Sequence, residues 1–339
     1  MKHYLLAGKI QFPEDFIDKK VSILANTSYL SGEIKINQES PFYPNRGDEK
    51  IMRQDVKASL ILLKELIEEI EIESKIENIP LFVANGAFIE NTDKHVNKLS
   101  NTYKNFLSEM TSEEKARKMY LSTPPLLGLE TLTNSTMSFM SQYAGIRGHN
   151  TTFGNTSIAA FFALKEALRS LQNNTYAIVC SSNTGGDFSF LTNSSIVGYD
   201  EGWKESGAVS CLFLSNMKDN SMVPLCEITK MVNSAKIPVL EKNNIERNWE
   251  NLLPDPNADL IIFSGAFSKS EYAEDKAYLE KINPSIFSFF EEFGNLGVTN
   301  LPAGIVKGIE KIHEGFSIID ILDRDIYGRE YLVRIENAK

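Results

Sequence analysis

Cysteine is scarce in this sequence, and its three positions give no zinc-binding motif. Cys180, Cys211 and Cys226 show no Cys-x-x-Cys spacing, which is the usual sign of a structural zinc site. Each cysteine lies in an apolar, strand-like stretch of sequence. We therefore expect buried free thiols in a reducing cytoplasm.

Long apolar runs are also missing. The longest, such as 60–63 and 260–263, are much shorter than the roughly 20 residues that a membrane-spanning helix needs. No membrane span is therefore predicted. The first residues carry no extended apolar region of the kind found in secretion signals, and we expect a cytoplasmic location.

A basic excess is absent as well. The chain has 35 lysine and arginine residues against 45 aspartate and glutamate residues, which gives a formal net charge of −10 at pH 7. Nucleic-acid-binding proteins favour a basic stripe, so no nucleic-acid partner is predicted. The sequence predicts neither a cofactor nor a bound metal ion.

What the sequence does contain is an alternation of helical and strand-like segments. Of its 339 residues, 42% are hydrophobic, which is enough to bury a large core. Asn155, Thr156 and Ser157 supply capping residues for a helix predicted at 158–171. Helices interleaved with short apolar strands predict an α/β sandwich whose sheets are covered by helices. Further helices are expected at 54–73 and 302–313, and strands at 79–84, 176–181, 207–214, 224–232, 258–263, 317–322 and 330–335.

One segment, 134–187, carries a recognisable order of elements. It contains the run Gly145-Ile146-Arg147-Gly148-His149-Asn150, then a strand-like stretch, a capped helix and a second strand. This order resembles the β-ketoacyl synthases of the thiolase superfamily, in which a Gly-x-x-Gly-x-Asn turn precedes an interface strand and a nucleophile at a helix start. The family nucleophile is a cysteine whose pKa the helix N-terminus lowers. Counted from Gly148 and Asn150, the corresponding residue is Ser157.

Other segments follow the family's order. Residues 52–58 resemble an arginine-containing helix start, and 200–209 resemble a Gly-rich run that precedes a core strand in the family. By the same resemblance, Ser264 stands where the family has its first catalytic histidine, and Asn295 stands where it has the second. Phe290 takes the place of the lysine that accompanies them.

The resemblance covers most of the chain and implies its fold. Members of the family are thiolase-like layered α/β/α/β/α sandwiches built from two related halves. By this resemblance, the N-terminal half, which carries the nucleophile position, occupies 1–220. A shortened C-terminal half occupies 221–339, and the two pack as one compact unit.

The substitutions remove the groups that decarboxylative condensation needs. That reaction requires a thiolate to accept the acyl chain, two histidines to stabilise the enolate and the oxyanion, and backbone N–H donors at the tetrahedral centre. The three side-chain positions here hold Ser157, Ser264 and Asn295, and the oxyanion loop at 325–329 retains one glycine. We predict no condensing activity from this chain alone, with Ser157 as the single candidate nucleophile.

The histidines stand elsewhere, at His3, His95, His149 and His313. His149 precedes Ser157 by eight residues, roughly 26 Å along an extended strand, and is expected to be structural. His313 near a helix end is expected to be structural too. Ser157 is not part of a Gly-x-Ser-x-Gly elbow, which disfavours an α/β-hydrolase.

The resemblance suggests a non-condensing subunit similar to a chain-length factor. Such a subunit pairs with an active ketosynthase in type II fatty acid, polyketide or polyene biosynthesis. The heterodimer is expected to form across the strand near 151–155, and residues 102–110 and 137–140 are expected to shape the acyl tunnel. An acidic chain repels an acidic acyl carrier protein, so the carrier is expected to dock mainly on the partner.

Two alternatives stay open at this point. A thiolase-fold protein with serine at the nucleophile position could act as an acyltransferase, provided that a base lies within hydrogen-bond reach of the Ser157 hydroxyl. A homodimeric binding protein without acyl chemistry is the third possibility, because a fold does not fix a function.

Overall fold

The structure is a computed structural model that describes most of the chain. Ser264 and His95, two residues singled out from the sequence, lie outside its described residues. The described residues are 2–21, 27–34, 36, 46–71, 73–86, 104, 109–122, 132, 134–154, 156–185, 204–217, 222–234, 252, 254–263, 269–325 and 328–338.

Twelve strands are present in the described part of the chain, and the strands expected from the sequence are found with shifted ends. They are β1 (Tyr4–Gln11), β2 (Asp15–Val21), β3 (Thr27–Glu33), β4 (Leu81–Asn85), β5 (Asn150–Gly154), β6 (Tyr176–Thr184), β7 (Lys204–Ser215), β8 (Cys226–Asn233), β9 (Leu260–Phe263), β10 (Ile286–Ser288), β11 (Ile318–Arg324) and β12 (Glu330–Glu336).

The helices expected from the sequence are also found. The helix predicted at 54–73 ends earlier, at Glu69, and Glu71 has a positive φ of 51° that is incompatible with continuing it. No helix in the described ranges combines the length and the hydropathy required to cross a membrane. The helices are α1 (Arg46–Glu49), α2 (Gln54–Glu69), α3 (Ser112–Ser122), α4 (Ser135–Ala144), α5 (Ile158–Ser170), α6 (Lys269–Ile282), α7 (Phe290–Phe293) and α8 (Asn300–His313), with 3₁₀ turns at Glu73–Asn78 and Gly297–Thr299.

Ten of the strands form two groups with the same internal order. The first sheet runs β5-β4-β6-β7-β1, and the second sheet runs β10-β9-β11-β12-β8. In each sheet the first three strands are parallel, and the last two neighbour pairs are antiparallel. The two sheets touch where β1 pairs with β8 at Leu5 and Cys226. This repeated order confirms two related halves, whereas the boundary after residue 220 stays a prediction.

The two sheets enclose a central layer of helices. Helices α5 and α8 lie between them in one apolar cluster that takes side chains from both sheets. Alternate residues of a strand point to opposite faces, and β4 shows this directly. Phe82 belongs to the central cluster, whereas Val83 faces the outer helices α2 and α4. Helix α6 covers the outer face of the second sheet. The layered α/β/α/β/α sandwich is therefore confirmed.

Two glycines allow α8 to lie close to the second sheet. A Cβ atom on Gly304 would come within 2.6 Å of Ile321 Cγ2, and one on Gly308 within 2.5 Å of Ile335 Cδ1. Both distances are shorter than a carbon–carbon contact, so side chains at these positions would push the helix outward. The glycines thus fix the spacing of the central layer, on which the site at the helix starts depends.

Candidate functional site

Ser157 lies at the junction between an edge strand and a central helix. Strand β5 ends at Gly154, helix α5 begins at Ile158, and Ser157 already has helical dihedral angles, φ −56° and ψ −28°. Its side chain makes no capping hydrogen bond, and the residue is 5% exposed. The apolar residues of α5 that follow Ser157 pack in the central core. The buried helix therefore presents its N-terminus, and Ser157, at the meeting of the two halves.

The hydroxyl of Ser157 has no hydrogen-bond partner among the described residues. A serine hydroxyl becomes a nucleophile when an adjacent base accepts its proton. No described histidine, carboxylate or lysine lies within hydrogen-bond distance of this oxygen, so the described site does not activate it. The base that the acyltransferase alternative requires is not found in this part of the chain.

The residue before Ser157 is held by an ion pair from the other half. Thr156 Oγ1 donates to Asp325 Oδ2 over 2.9 Å and accepts from Arg329 Nη2 over 2.9 Å. Arg329 Nε also donates to Asp325 Oδ2 over 2.6 Å. Asp325 and Arg329 belong to the loop that takes the oxyanion-loop position by resemblance. The ion pair between Asp325 and Arg329 has no signal in the sequence.

The backbone amides of this loop bond within the loop itself. The Arg329 amide donates to Asp325 Oδ1 over 2.9 Å, and the Gly328 amide donates to the Asp325 carbonyl over 2.9 Å. The Asp325 amide donates in turn to the Arg329 carbonyl over 2.9 Å. An oxyanion hole needs N–H groups that point at the developing charge. The described amides of this loop are already engaged and do not supply such donors.

Asn295 serves the structure of a tight turn. Its side-chain oxygen accepts from the Gly297 amide and from Asn300 Nδ2, both over 3.0 Å. Its backbone bridges to β7, since its amide donates to the Lys204 carbonyl over 3.0 Å and its carbonyl accepts from the Ser206 amide over 2.8 Å. The buried side chain and the backbone of Asn295 therefore both stabilise the turn.

The glycines on either side of Asn295 explain the shape of this turn. Gly294 and Gly297 both have positive φ values, 73° and 56°, which favour glycine. A Cβ on Gly297 would also lie 2.7 Å from the Nδ2 atom of the buried Asn183. The Gly-Asn-Leu-Gly pattern seen in the sequence is therefore a backbone requirement at this point.

A buried polar network continues from Asn295 into the second sheet. Asn300 Nδ2 donates to Asp323 Oδ1 over 3.2 Å, and the Tyr331 hydroxyl donates to Asp323 Oδ2. The Tyr331 ring lies 5.2 Å from the ring of Phe161 on α5. The starts of both central helices are thereby joined through one network. Sequence reasoning missed it because its members lie on separate elements and share no motif.

Phe290, at the position of the family lysine, belongs to an apolar cluster. Its ring stacks on Tyr272 of α6 at 4.8 Å, and Tyr272 stacks on Phe263 at 5.9 Å. This cluster packs on the outer face of the second sheet. Phe290 therefore contributes packing and carries no charge to the site.

The described histidines give no base for Ser157. His149 is exposed, and its ring meets Phe82 edge-on at 5.8 Å. His313 is exposed at the end of α8. Burial lowers the pKa of His3, and the N-terminal charge lowers it further, so its neutral form is favoured.

The three cysteines are free and buried, as their apolar stretches of sequence predicted. Cys180 and Cys211 face each other across β6 and β7 with their sulfurs 2.9 Å apart, and burial raises the pKa of Cys180. Burial raises the pKa of Cys226 to about 12. Among the described residues, no group of three or more histidine, cysteine or acidic side chains is arranged to hold a metal ion.

A second buried ionic cluster lies at the start of α2, in the segment that resembles the family's arginine-containing helix start. Arg53 Nε donates to Asp55 Oδ1 over 3.0 Å, and Arg53 Nη2 donates to Asp55 Oδ2 over 3.1 Å. The Ser182 hydroxyl, near the end of β6, also donates to Asp55. Arg53 and Asp55 are at most 4% exposed, so the pair fixes α2 onto the first sheet.

Comparison with solved structures identifies the fold of the chain. No protein-family model and no curated protein sequence matches the chain. One similar structure is a type II polyketide acyl-carrier protein in complex with its ketosynthase bound to the hexaketide, with a TM-score of 0.71, 13% identity and 99% of each chain covered. The ishigamide ketosynthase/chain length factor matches with a TM-score of 0.70, 12% identity and 100% of each chain covered. A β-ketoacyl synthase from Burkholderia phymatum has a TM-score of 0.66 at 9% identity, with 91% of this chain and 88% of that chain covered. The chain therefore has the thiolase-like fold of the ketosynthases.

Proposed function

We propose that this chain is a catalytically degenerate subunit that pairs with an active ketosynthase in type II fatty acid, polyketide or polyene biosynthesis. The observation that carries the proposal is the state of Ser157. Its buried hydroxyl meets no base among the described residues. A ketosynthase fold with an unactivated nucleophile position supports a role other than condensation.

The surroundings of Ser157 support the same proposal. The side-chain amide of Asn295 neither gains nor loses a proton near neutral pH, and its oxygen is engaged with Gly297 and Asn300. The loop at 325–329 uses its described amides internally. Nucleophile activation, histidine chemistry and oxyanion stabilisation are thus each weakened at the positions inherited from the family.

The partner is proposed to add to the free edge of the first sheet. Strand β5 is the end strand of that sheet and pairs only with β4 among the described strands. Thr151, Thr152 and Phe153 are partly buried and uncharged, and the strand contains no proline. Edge strands without charges, prolines or bulges are suited to pairing with another chain. We therefore place the heterodimer interface along β5.

The neighbouring structures support a ketosynthase-type partner. One of them is a ketosynthase/chain length factor, and another is a ketosynthase in complex with its acyl-carrier protein. By analogy, the active partner supplies cysteine and histidines, and the acyl carrier protein docks mainly there. The formal charge of −10 on this chain disfavours direct docking of an acidic carrier.

This chain is proposed to shape the acyl tunnel beside the interface. Thr152 Oγ1 lies 3.4 Å from Met137 Sδ, which brings the predicted tunnel segment 137–140 against β5. Met140 is fully buried. Most of the other predicted segment, 102–110, lies outside the described residues. A flexible methionine side chain next to the interface suits the wall of an acyl cavity.

The test is co-expression of this chain with a ketosynthase encoded beside it, followed by size-exclusion chromatography and a malonyl-carrier condensation assay. We expect a 1:1 complex whose condensing activity requires this chain and survives Ser157→Ala. Thr151→Lys, which places a charge on the edge strand, should prevent the complex, and Thr151→Val should preserve it.

Other outcomes replace the proposal. Acylation of Ser157 in the isolated chain, abolished by Ser157→Ala, would establish the acyltransferase alternative. A stable homodimer with no effect on condensation would establish the binding protein. Condensation by the partner alone at the same rate would also reject the subunit role.

A further inference from the structure

A groove with a volume of about 460 Å³ opens beside the edge strand. Phe153 of β5 forms one wall, and the exposed side of α5 forms another through Phe162, Lys165 and Arg169. His3, which precedes β1, also lines the groove. The groove lies outside the Ser157 site already described. None of its lining residues stands at a position that the family uses for condensation.

Phe162 is the unusual member of this groove. Its neighbour Phe161 is 1% exposed in the central core, whereas Phe162 is 37% exposed. The two rings meet edge-on at 5.8 Å, so Phe161 supports Phe162 from below. A large aromatic side chain that rests on a rigid core residue and faces outward is typical of an interface anchor.

The charges around Phe162 point to one kind of ligand. Arg169 is already paired with Glu166, its Nε lying 3.0 Å from Glu166 Oε1. Lys165 is exposed and forms no ion pair with any described residue. Burial lowers the pKa of His3 and favours its neutral form. The groove therefore carries a surplus of one positive charge beside an apolar floor.

The position of the groove indicates which molecule covers it. Phe153 belongs to both surfaces, since it lies on β5 and lines the groove. A strand that pairs with the free edge of β5 lies within about 5 Å of that strand. Its side chains on the same face as Phe153 would then extend over the groove.

We infer that the groove receives an apolar side chain, flanked by a carboxylate, from the ketosynthase-type chain that adds to β5. Phe162 is the main apolar contact, and Lys165 pairs with the carboxylate. This inference rests on the proposed function and names the contact that fixes the register of the two chains. The occupant is the partner itself, not the carrier protein or a second copy of this chain.

The first test measures the dissociation constant of the co-expressed complex by sedimentation at serial dilutions. Phe162→Ala should weaken the complex by about 30-fold or more, which is the threshold of an interface hot spot. Phe162→Tyr should bind within a few fold of the wild type. Val223→Ala serves as the control because Val223 is 84% exposed and is not among the groove-lining residues.

The second test concerns the charge. Lys165→Glu should weaken the complex about 10-fold at low ionic strength, and the difference should shrink as salt screens the pair. Lys281→Glu, on an exposed part of α6, is the matched control and should bind as the wild type does. A photo-crosslinking residue at position 162 should attach to the ketosynthase.

The outcomes separate the two proposals. If the wild-type chain binds the ketosynthase and Phe162→Ala binds equally well, the groove inference is wrong and the subunit proposal stands. Crosslinking from position 162 to the carrier protein or to a second copy of this chain also overturns the groove inference. If the wild-type chain binds no ketosynthase, both proposals fall.

Discussion

The Thr156 hydroxyl donates to the Asp325 carboxylate over 2.9 Å and so ties the start of α5 to the end of β11. The start of α8, in the second half, makes a corresponding contact with the first sheet. There, Thr299 Oγ1 donates to the Ala208 carbonyl on β7 and accepts from Ser181 Oγ on β6, each over 3.1 Å. Each central helix is therefore fastened, through the threonine at its start, to the sheet of the other half.

The first prediction concerns the contact of Thr156. Asp325→Asn removes the charge that holds Arg329 and weakens the acceptor of Thr156. We expect a loss of about 1–3 kcal/mol in the free energy of unfolding, measured by urea denaturation. Glu310→Gln breaks only a surface pair with Lys307 and should change stability by less than about 0.5 kcal/mol. Equal effects of the two variants would contradict the structural role of Asp325.

The second prediction compares the two described positions that correspond, by resemblance, to the family's nucleophile and second histidine. Ser157→Ala removes a buried hydroxyl that bonds to no described residue, so the free energy of unfolding should stay unchanged or rise by up to about 2 kcal/mol. Asn295→Ala deprives Gly297 and Asn300 of their acceptor and should lower it by about 1–3 kcal/mol. Denaturant titration measures both. A Ser157→Ala variant as unstable as Asn295→Ala would imply that Ser157 has a bonded partner.

The third prediction concerns thiol reactivity. The thiolate is the form that reacts with a disulfide reagent, and burial raises the pKa of Cys180 and brings that of Cys226 to about 12. At pH 8 the native protein should therefore release almost no chromophore from the reagent. All three cysteines should react in concentrated guanidinium chloride. Rapid labelling of the native protein would show that one of these strands opens readily.

The fourth prediction is a pH dependence from His3. Burial lowers its pKa below the ordinary value of 6.5 in the folded chain. As the pH falls through that ordinary value, the unfolded chain binds a proton that the folded chain does not, so the folded state loses stability. His3→Gln should therefore lose less stability than the wild type between about pH 7.5 and pH 5.5.

The measurement for His3 is the difference in the free energy of unfolding between variant and wild type at each pH. This difference cancels the contribution of carboxylate titration, which the two proteins share. His313→Gln, at the exposed end of α8, is the control variant. If His3→Gln and the wild type show parallel pH profiles, the burial of His3 contributes nothing to this dependence.

Much of the fold followed from local sequence. The apolar face of 158–171 is sufficient to predict a helix after a short strand, whereas the expected capping by Ser157 is not found, because its side chain makes no capping hydrogen bond. Gly294 and Gly297 are local features of the same kind, because both residues have the positive φ values that favour glycine. Such signals are local, so they survive without knowledge of the partners across the fold. The helix predicted at 54–73 illustrates the limit, because its end depends on a single backbone dihedral at Glu71.

The chemistry of the site did not follow in the same way. Asp325 and Arg329 were identified only as a loop with one glycine, and Asn295 only as a substituted histidine. Thr156, the partner of Asp325 and Arg329, lies at a helix start in the other half, whereas Asn300, the partner of Asn295, lies five residues further along the chain. No periodicity or spacing links Thr156 to Asp325 and Arg329, because hydrogen bonds between halves are set by packing and not by local propensity.

By itself, the sequence determined the alternation of helices and strands and the order of the ketosynthase-like segments. It also determined that, by resemblance, no cysteine stands at the nucleophile position and no histidine stands at positions 264 and 295. These properties depend on residue identity and on short-range spacing. Tertiary structure alone decided that the Ser157 hydroxyl meets no described base, that Asn295 holds a turn, and that Asp325 and Arg329 close on Thr156. The contact of Thr156 with Asp325 and Arg329 arises where the two halves bring distant segments within 3 Å of one another, so it becomes visible only when both halves are packed together.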